Sequence, residues 1–356
     1  MSRMIRASIA VVLAHGLFAA AVAAQRDSGA FVMRDVRFAS GESIPELRMY
    51  YRTLGRPQRD AAGVIRNAVL ILHGTGGTGA QFFSPFFTPL YRSGGPLDTA
   101  TTYVILPDDI GHGRSSKPSD GLHARFPHYG YQDMVTAEHR LVTEGLHVTH
   151  LRLVMGTSMG CMHSWIWAER YPEFMDGVVP LACLPTQIAG RNRMLRKMIL
   201  DDIRNDPAWR GGDYAEQPPA LTAALEVLFI MSSSPSVLQR TAPTRDSADT
   251  YITSWLAARR ATTDANDMLY QFDASRDYDP SPDLERITAP LLAINSADDL
   301  INSPELGIME RLMPRVAHGR YVLVPISERT RGHGTHTVAA AWEEWFAPFV
   351  AGLPAR

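Results

Sequence analysis

A G-x-S-x-G pentapeptide, Gly156-Thr157-Ser158-Met159-Gly160, lies between two segments of different character. The apolar run at residues 153–155 is typical of a buried strand, and apolar residues at helical spacing continue after the pentapeptide as far as residue 168. Strand, tight turn and helix around this pentapeptide form the pattern of a nucleophile elbow, in which a strained backbone presents the serine hydroxyl. We therefore predict that Ser158 is a catalytic nucleophile.

Strand and helix patterns alternate along most of the chain. Apolar or alternating runs predict strands at residues 31–38, 47–54, 68–72, 102–107, 177–183, 290–295 and 319–325, in addition to the strand before the elbow. Amphipathic patterns between them, such as residues 133–145, predict helices. This alternation predicts an α/β fold with a mostly parallel central sheet and helices on both faces.

The pattern changes between residues 184 and 282. Buried-strand runs stop there. Helical patterns take their place at residues 191–204, 221–231, 248–261 and 265–275, separated by Pro- and Gly-rich turns. We predict an inserted helical cap at 184–282, between a first core part at 25–183 and a second at 283–356. A chain of 356 residues with 45% hydrophobic content is long enough for such a domain.

The first 24 residues have the composition of a signal peptide. Arg3 and Arg6 precede an apolar stretch that ends in small residues before Gln25. His15 and Gly16 interrupt that stretch, which disfavours the alternative of a membrane anchor. We expect cleavage after residue 24, export to the periplasm or the medium, and no membrane span in the mature chain.

Charge and motifs narrow the choice of ligands. A formal net charge of -2, without a basic run, gives no reason to expect nucleic acid. The glycine-rich stretch at residues 73–79 lacks the spacing of a P-loop or of a dinucleotide site, so no cofactor is expected. For Cys161 and Cys183 we favour two buried thiols, with a disulfide as the open alternative. A homodimer through the cap helices also stays open.

The glycine-rich stretch instead fits an oxyanion loop. Acyl transfer places negative charge on a carbonyl oxygen, and backbone N–H groups are suitable donors to it. We predict the N–H groups of Thr75 and Met159 as this pair, with His73 supporting the loop.

Two further loops follow predicted strands and complete a triad. Asp298 and Asp299 come after the strand at 290–295, and His333 follows the last strand. We choose Asp298 over Asp299 as the acid that orients the imidazole, and His333 over His336 as the general base. A metal site made from these two histidines and two aspartates would leave the elbow unexplained, so no metal is predicted. The order Ser, Asp, His is that of the α/β-hydrolase fold.

From residue 69 to the C-terminus the chain resembles the homoserine O-acetyltransferase branch of the α/β-hydrolases. The matching stretches are 126–127 with 132–135, the elbow at 156–162, 168–172, 206–214, 264–266, and the loops of Asp298 and His333. The resemblance implies an acyl-Ser158 intermediate and a substrate-binding role for Arg196.

Two departures bear on the substrate. Gly334 follows His333, where the transferases typically have an aspartate that holds the amino group of homoserine, and their His-Ala-Leu-Thr-Gly loop is replaced at residues 73–77. We therefore expect a serine hydrolase that cleaves a small-molecule ester or related acyl bond. An O-acyltransferase with the same triad is the alternative, and a non-catalytic protein that binds a small ligand is the second.

Overall fold

The structure is a computed structural model that describes residues 26–354, so the predicted signal peptide at 1–24 lies outside the described residues. Eight strands follow one another along the chain: β1 (Arg26–Arg37), β2 (Ser43–Leu54), β3 (Ala68–Leu72), β4 (Tyr103–Pro107), β5 (Leu153–Thr157), β6 (Val178–Leu181), β7 (Leu291–Ser296) and β8 (Gly319–Val324). They form one sheet in the spatial order β1-β2-β4-β3-β5-β6-β7-β8.

The sheet is parallel from β4 to β8, whereas β1 and β2 pair antiparallel at one side. The predicted mostly parallel sheet is therefore confirmed. Because parallel strands end at the same edge, the loops that follow β3, β5, β7 and β8 all lie at that edge. The strand order reverses between β3 and β5, which is where open α/β sheets form a binding crevice.

Nine α-helices lie in the described part of the chain: α1 (Tyr131–Arg140), α2 (Met159–Arg170), α3 (Gly190–Asn205), α4 (Leu221–Ser232), α5 (Pro235–Thr241), α6 (Arg245–Arg260), α7 (Ala265–Asp273), α8 (Ile308–Leu312) and α9 (Glu343–Ala351). Strand side chains alternate between two cores. Leu70 and Val154 join the core that contains residues of α1 and α2, whereas Val69 and Met155 join the core that contains Phe346 of α9. Helices thus cover both faces, as predicted.

Helices α3 to α7 all lie between β6 and β7, within the segment predicted as the cap. Four of the five coincide with predicted helical patterns, and the short α5 has no counterpart among them. No single helix within residues 26–354 is long and apolar enough to cross a bilayer; the bent pair of α4 and α5 passes that test by length and composition alone.

Cys161 and Cys183 form a disulfide, so the prediction of two buried thiols is wrong. Cys161 lies in the first turn of α2, which follows β5, and Cys183 lies just after the neighbouring strand β6. Strand pairing thereby brings the two Cα atoms to 5.9 Å, within the range that a disulfide requires. The link joins the helix after Ser158 to a loop that lines the main cavity.

Removing this disulfide is expected to lower the free energy of unfolding by about 3 kcal/mol in a Cys161→Ala/Cys183→Ala variant, because the bond closes a loop with a sequence separation of 22 residues. Urea denaturation of the variant and of the oxidised protein measures the difference. A reducing agent should destabilise the parent protein similarly and leave the variant unchanged. Equal denaturation midpoints for the parent and the variant, at equal m-values, would contradict this expectation.

Candidate active site

Ser158 lies between β5 and α2 with φ 55° and ψ -106°, a left-handed backbone that costs a non-glycine residue energy. The glycines on either side make this turn possible. A Cβ on Gly156 would lie 1.9 Å from the carbonyl oxygen of Gly160, and one on Gly160 would lie 2.3 Å from that of Leu72. The chain therefore folds into the predicted elbow, with strand and helix in close contact around the serine.

Ser158, His333 and an aspartate form a hydrogen-bonded relay. His333 Nε2 lies 2.8 Å from Ser158 Oγ, and His333 Nδ1 lies 2.9 Å from Asp299 Oδ2. A carboxylate at Nδ1 places the imidazole hydrogen there, which leaves the Nε2 lone pair free to accept the proton of the serine hydroxyl. Residues 175 and 34 positions apart in the chain thus meet at the sheet edge.

The structure contradicts the choice of Asp298 as the acid of this relay. Its carboxylate accepts a hydrogen bond from Gly332 N–H at 2.8 Å and from Ser296 Oγ at 2.5 Å, and Asp299 holds the imidazole. Strand β7 continues through Ser296, one residue beyond the predicted end. That extra residue moves the turn by one position and directs Asp299 towards His333.

Asp299 is held as a carboxylate although its side chain is fully buried. Burial alone would raise the pKa of Asp299, but the His333 charge and hydrogen bonds from His333, Asn302 and Ile301 N–H together lower it below its ordinary value. Asn302 also donates to the carbonyl oxygen of Ala182 at 2.9 Å, which ties the acid loop to the end of β6. The acid thus stays charged and fixed in position at neutral pH.

The predicted oxyanion loop passes close to the nucleophile. A Cβ on Gly74 would lie 3.2 Å from Ser158 Cβ, which is a tight contact that glycine avoids. His73 stabilises the loop as expected, because Nδ1 lies 2.8 Å from the Gly74 carbonyl oxygen and Nε2 accepts from Asp109 N–H. Met159 begins α2, where the first N–H groups lack partners within the helix. The donor roles of Thr75 and Met159 stay predictions.

A cavity of about 1040 Å³ opens above the relay, and its lining includes Ser158, His333, Thr75 and Arg196. Arg196 lies on α3 and is only 3% exposed. Its guanidinium donates to Asn192 Oδ1 at 3.0 Å and Ser275 Oγ at 3.3 Å, and no carboxylate of the described residues forms an ion pair with it. A buried cation without a counter-charge favours an anionic group on the molecule that fills the cavity.

Below the elbow lies a buried cluster that the sequence analysis did not identify. Asp109, Glu138 and His163 are fully buried, with donor atoms within 4.8 Å of one another, which is a spacing that could hold a metal ion. Glu138 accepts from His163 Nδ1 at 2.7 Å and from Trp167 Nε1 at 2.5 Å. Within residues 26–354 neither oxygen of Asp109 has a hydrogen-bond donor, and burial together with the nearby Glu138 charge raises the pKa of Asp109, which favours a protonated carboxyl beside Glu138. We therefore assign the cluster as a proton-sharing network.

This network makes stability depend on pH. Burial raises the pKa of Glu138 to about 7, and burial together with the Glu138 charge raises that of Asp109. A raised folded-state pKa means that the folded protein holds more protons than the unfolded chain, so the Glu138 contribution to stability is lost as pH rises towards about 7.

A Glu138→Gln variant is therefore expected to lose less free energy of unfolding than the parent between about pH 5 and about pH 8. Urea denaturation at both pH values measures this change. The exposed Glu328→Gln variant serves as control and should retain the parental pH dependence. An unchanged pH dependence in Glu138→Gln would exclude Glu138 as a contributor.

The chain is similar to known proteins in sequence and in structure. A sequence model described as alpha/beta hydrolase fold matches residues 67–321. A protein of Methanothermobacter thermautotrophicus named "Probable acyltransferase" is 30% identical over 288 residues, which cover 80% of this chain and 87% of that protein. The "Homoserine O-acetyltransferase" of Thermobifida fusca is 33% identical over 195 residues, about half of each chain.

Among solved structures, that of esterase E22 has a TM-score of 0.78 at 20% identity and covers 92% of this chain and all of the esterase. Likeness at this identity shows the shared fold. The sequence matches confirm the predicted resemblance to the homoserine O-acetyltransferase-like branch.

Proposed function

The chain belongs to the α/β-hydrolase fold family, and from this membership we propose that it is a serine hydrolase that cleaves an ester or related acyl bond. The relay of Ser158, His333 and Asp299 beneath the large cavity is the observation that carries the proposal. A serine hydroxyl is too weakly acidic to attack a carbonyl unaided, and this arrangement supplies the base that it needs.

In the first half-reaction, Ser158 Oγ attacks the acyl carbonyl carbon while its proton passes to His333 Nε2. Negative charge develops on the carbonyl oxygen during this attack. We propose that this oxygen accepts hydrogen bonds from Thr75 N–H and Met159 N–H. Collapse of the tetrahedral intermediate breaks the bond to the alcohol, which leaves with the proton from His333. Asp299 stabilises the imidazolium throughout, and an acyl-Ser158 ester results.

In the second half-reaction, a water molecule attacks the acyl-Ser158 ester, and His333 accepts its proton. Collapse of this second tetrahedral intermediate breaks the bond to Ser158 Oγ, which takes the proton from His333, and the carboxylic acid leaves. Gly334, which follows His333, has no side chain. The carboxylate expected to bind the acceptor in homoserine transfer is therefore missing at this position. Water is then the simplest nucleophile to complete the cycle.

Two measurements test the proposal. The purified protein should hydrolyse short p-nitrophenyl esters, and a fluorophosphonate probe should label Ser158, because only an activated serine reacts with it. Absence of both would favour a non-catalytic protein that binds a small ligand.

An O-acyltransferase using the same triad is the second candidate function. It is favoured by Arg196, which offers a buried positive charge in the cavity, and by the names of the relatives that match the sequence. Product formation that requires both an acyl-CoA and an alcohol acceptor, with negligible ester hydrolysis, would identify a transferase.

We also propose that the protein is exported after removal of residues 1–24. The Cys161–Cys183 disulfide supports this location, since such bonds persist in oxidising compartments. Cell fractionation followed by N-terminal sequencing should find a chain that starts at Gln25 outside the cytoplasm. A homodimer through the cap helices stays a prediction that sedimentation can check.

A further inference from the structure

A second imidazole faces the same cavity next to the catalytic one. His336 lies in a short 3-10 turn, Gly334–Thr337, that directly follows His333. The two ring centroids are 5.2 Å apart and the planes cross at 74°, an edge-to-face contact. His336 is largely buried and lines the cavity together with Ser158 and His333. The relay does not use it.

The surroundings of His336 define its hydrogen-bonding state. Burial and the neighbouring His333 lower the pKa of His336 to about 3, so the ring is neutral at the near-neutral pH at which ester hydrolysis would be assayed. Nδ1 is buried and has no hydrogen-bond partner among the described residues. An unsatisfied acceptor is less costly to bury than an unsatisfied N–H, which places the hydrogen on Nε2. Nε2–H is then the donor that His336 offers to the cavity it lines.

The position of this donor indicates which reacting group it serves. The oxyanion loop at Gly74 and Thr75 approaches Ser158 from β3, whereas His336 lies against His333. Leaving groups and incoming nucleophiles exchange their proton with the catalytic imidazole, so they occupy the side of the site that His333 faces. A neutral donor beside that imidazole can hydrogen-bond to an oxygen there without competing for its proton, as neutral histidines do in other enzymes.

We propose that His336 is a positioning residue that holds the water molecule which hydrolyses the acyl-Ser158 intermediate, an inference that rests on the proposed hydrolase function. His336 Nε2–H donates to the water oxygen, and one water hydrogen points at His333 Nε2. The oxygen then attacks the acyl carbonyl carbon as His333 takes the proton. Collapse breaks the bond to Ser158 Oγ, the proton returns to that oxygen, and the carboxylic acid leaves. His336 keeps its own hydrogen throughout.

The test separates the two half-reactions in a His336→Phe variant, which keeps an aromatic ring and lacks the donor. Stopped-flow release of p-nitrophenol from p-nitrophenyl acetate reports acylation, and intact mass under turnover reports the acyl-enzyme. We expect acylation within about twofold of the parent and deacylation about tenfold slower, the fold-change of one lost hydrogen bond. The acyl adduct should then accumulate.

A His336→Gln variant restores an N–H donor and should recover most of the deacylation rate, which a purely structural role would not predict. If His336→Phe does not fold, His336→Leu takes its place. Equal loss in both half-reactions, or no loss in either, would overturn the proposal. Failure of the hydrolase function itself would be distinguishable, because the parent protein would then form no acyl adduct.

Discussion

Replacement of Ser158 by alanine is expected to reduce kcat for ester hydrolysis by about 10⁶-fold, because among the described residues Ser158 supplies the hydroxyl that His333 Nε2 contacts. The oxyanion donors and the cavity would remain, and they account for whatever residual rate persists. Initial rates with p-nitrophenyl acetate measure the loss. A fluorophosphonate probe should leave the variant unlabelled.

Ser232→Ala provides the matched control. Ser232 lines the same cavity, but its hydroxyl donates to the Leu228 carbonyl oxygen within its own helix. Its loss should change kcat by no more than about twofold. Ester hydrolysis at an undiminished rate by folded Ser158→Ala would show that another group is the nucleophile.

The second large effect concerns the two adjacent aspartates. Asp299→Asn is expected to lower kcat by about 10⁴-fold, because the asparagine amide would donate to His333 Nδ1 and force the hydrogen onto Nε2, where it blocks proton transfer from Ser158. Asp298→Asn should lower kcat by no more than about tenfold, because an amide oxygen can still accept from Gly332 N–H.

Kinetics of both variants, with thermal unfolding to verify folding, compare these positions directly. Each substitution exchanges one oxygen for an NH₂ group at neighbouring residues, so each controls for the other. The reverse order, with Asp298→Asn nearly inactive and Asp299→Asn nearly normal, would reinstate the assignment made from the sequence.

The elements that position the site could largely be predicted from the sequence. The apolar run at 68–72 coincides with β3, and the predicted elbow at Ser158 forms as expected. A strand that is buried on both faces has a continuous run of apolar residues, which makes it easy to recognise. A strained serine between a closely packed strand and helix needs a glycine on either side. Local chemistry therefore specified both.

What the sequence could not resolve depends on distances between strands or on a single residue of register. The choice between Asp298 and Asp299 required the end of β7, and element ends are the least reliable part of a prediction. The disulfide required the pairing of β5 with β6. The network around Glu138 joins residues from separate elements, so no local sequence pattern predicts it.

The insertion point of the helical segment has an evolutionary consequence. Because β6 and β7 pair side by side, the chain leaves the sheet and re-enters it at adjacent strands. The entropy of closing such an excursion grows only slowly with its length. Insertions, deletions or wholesale exchange of residues 190–273 could accordingly diversify the choice of substrate across descendants, while the chemistry inherited with the sheet stays unaltered.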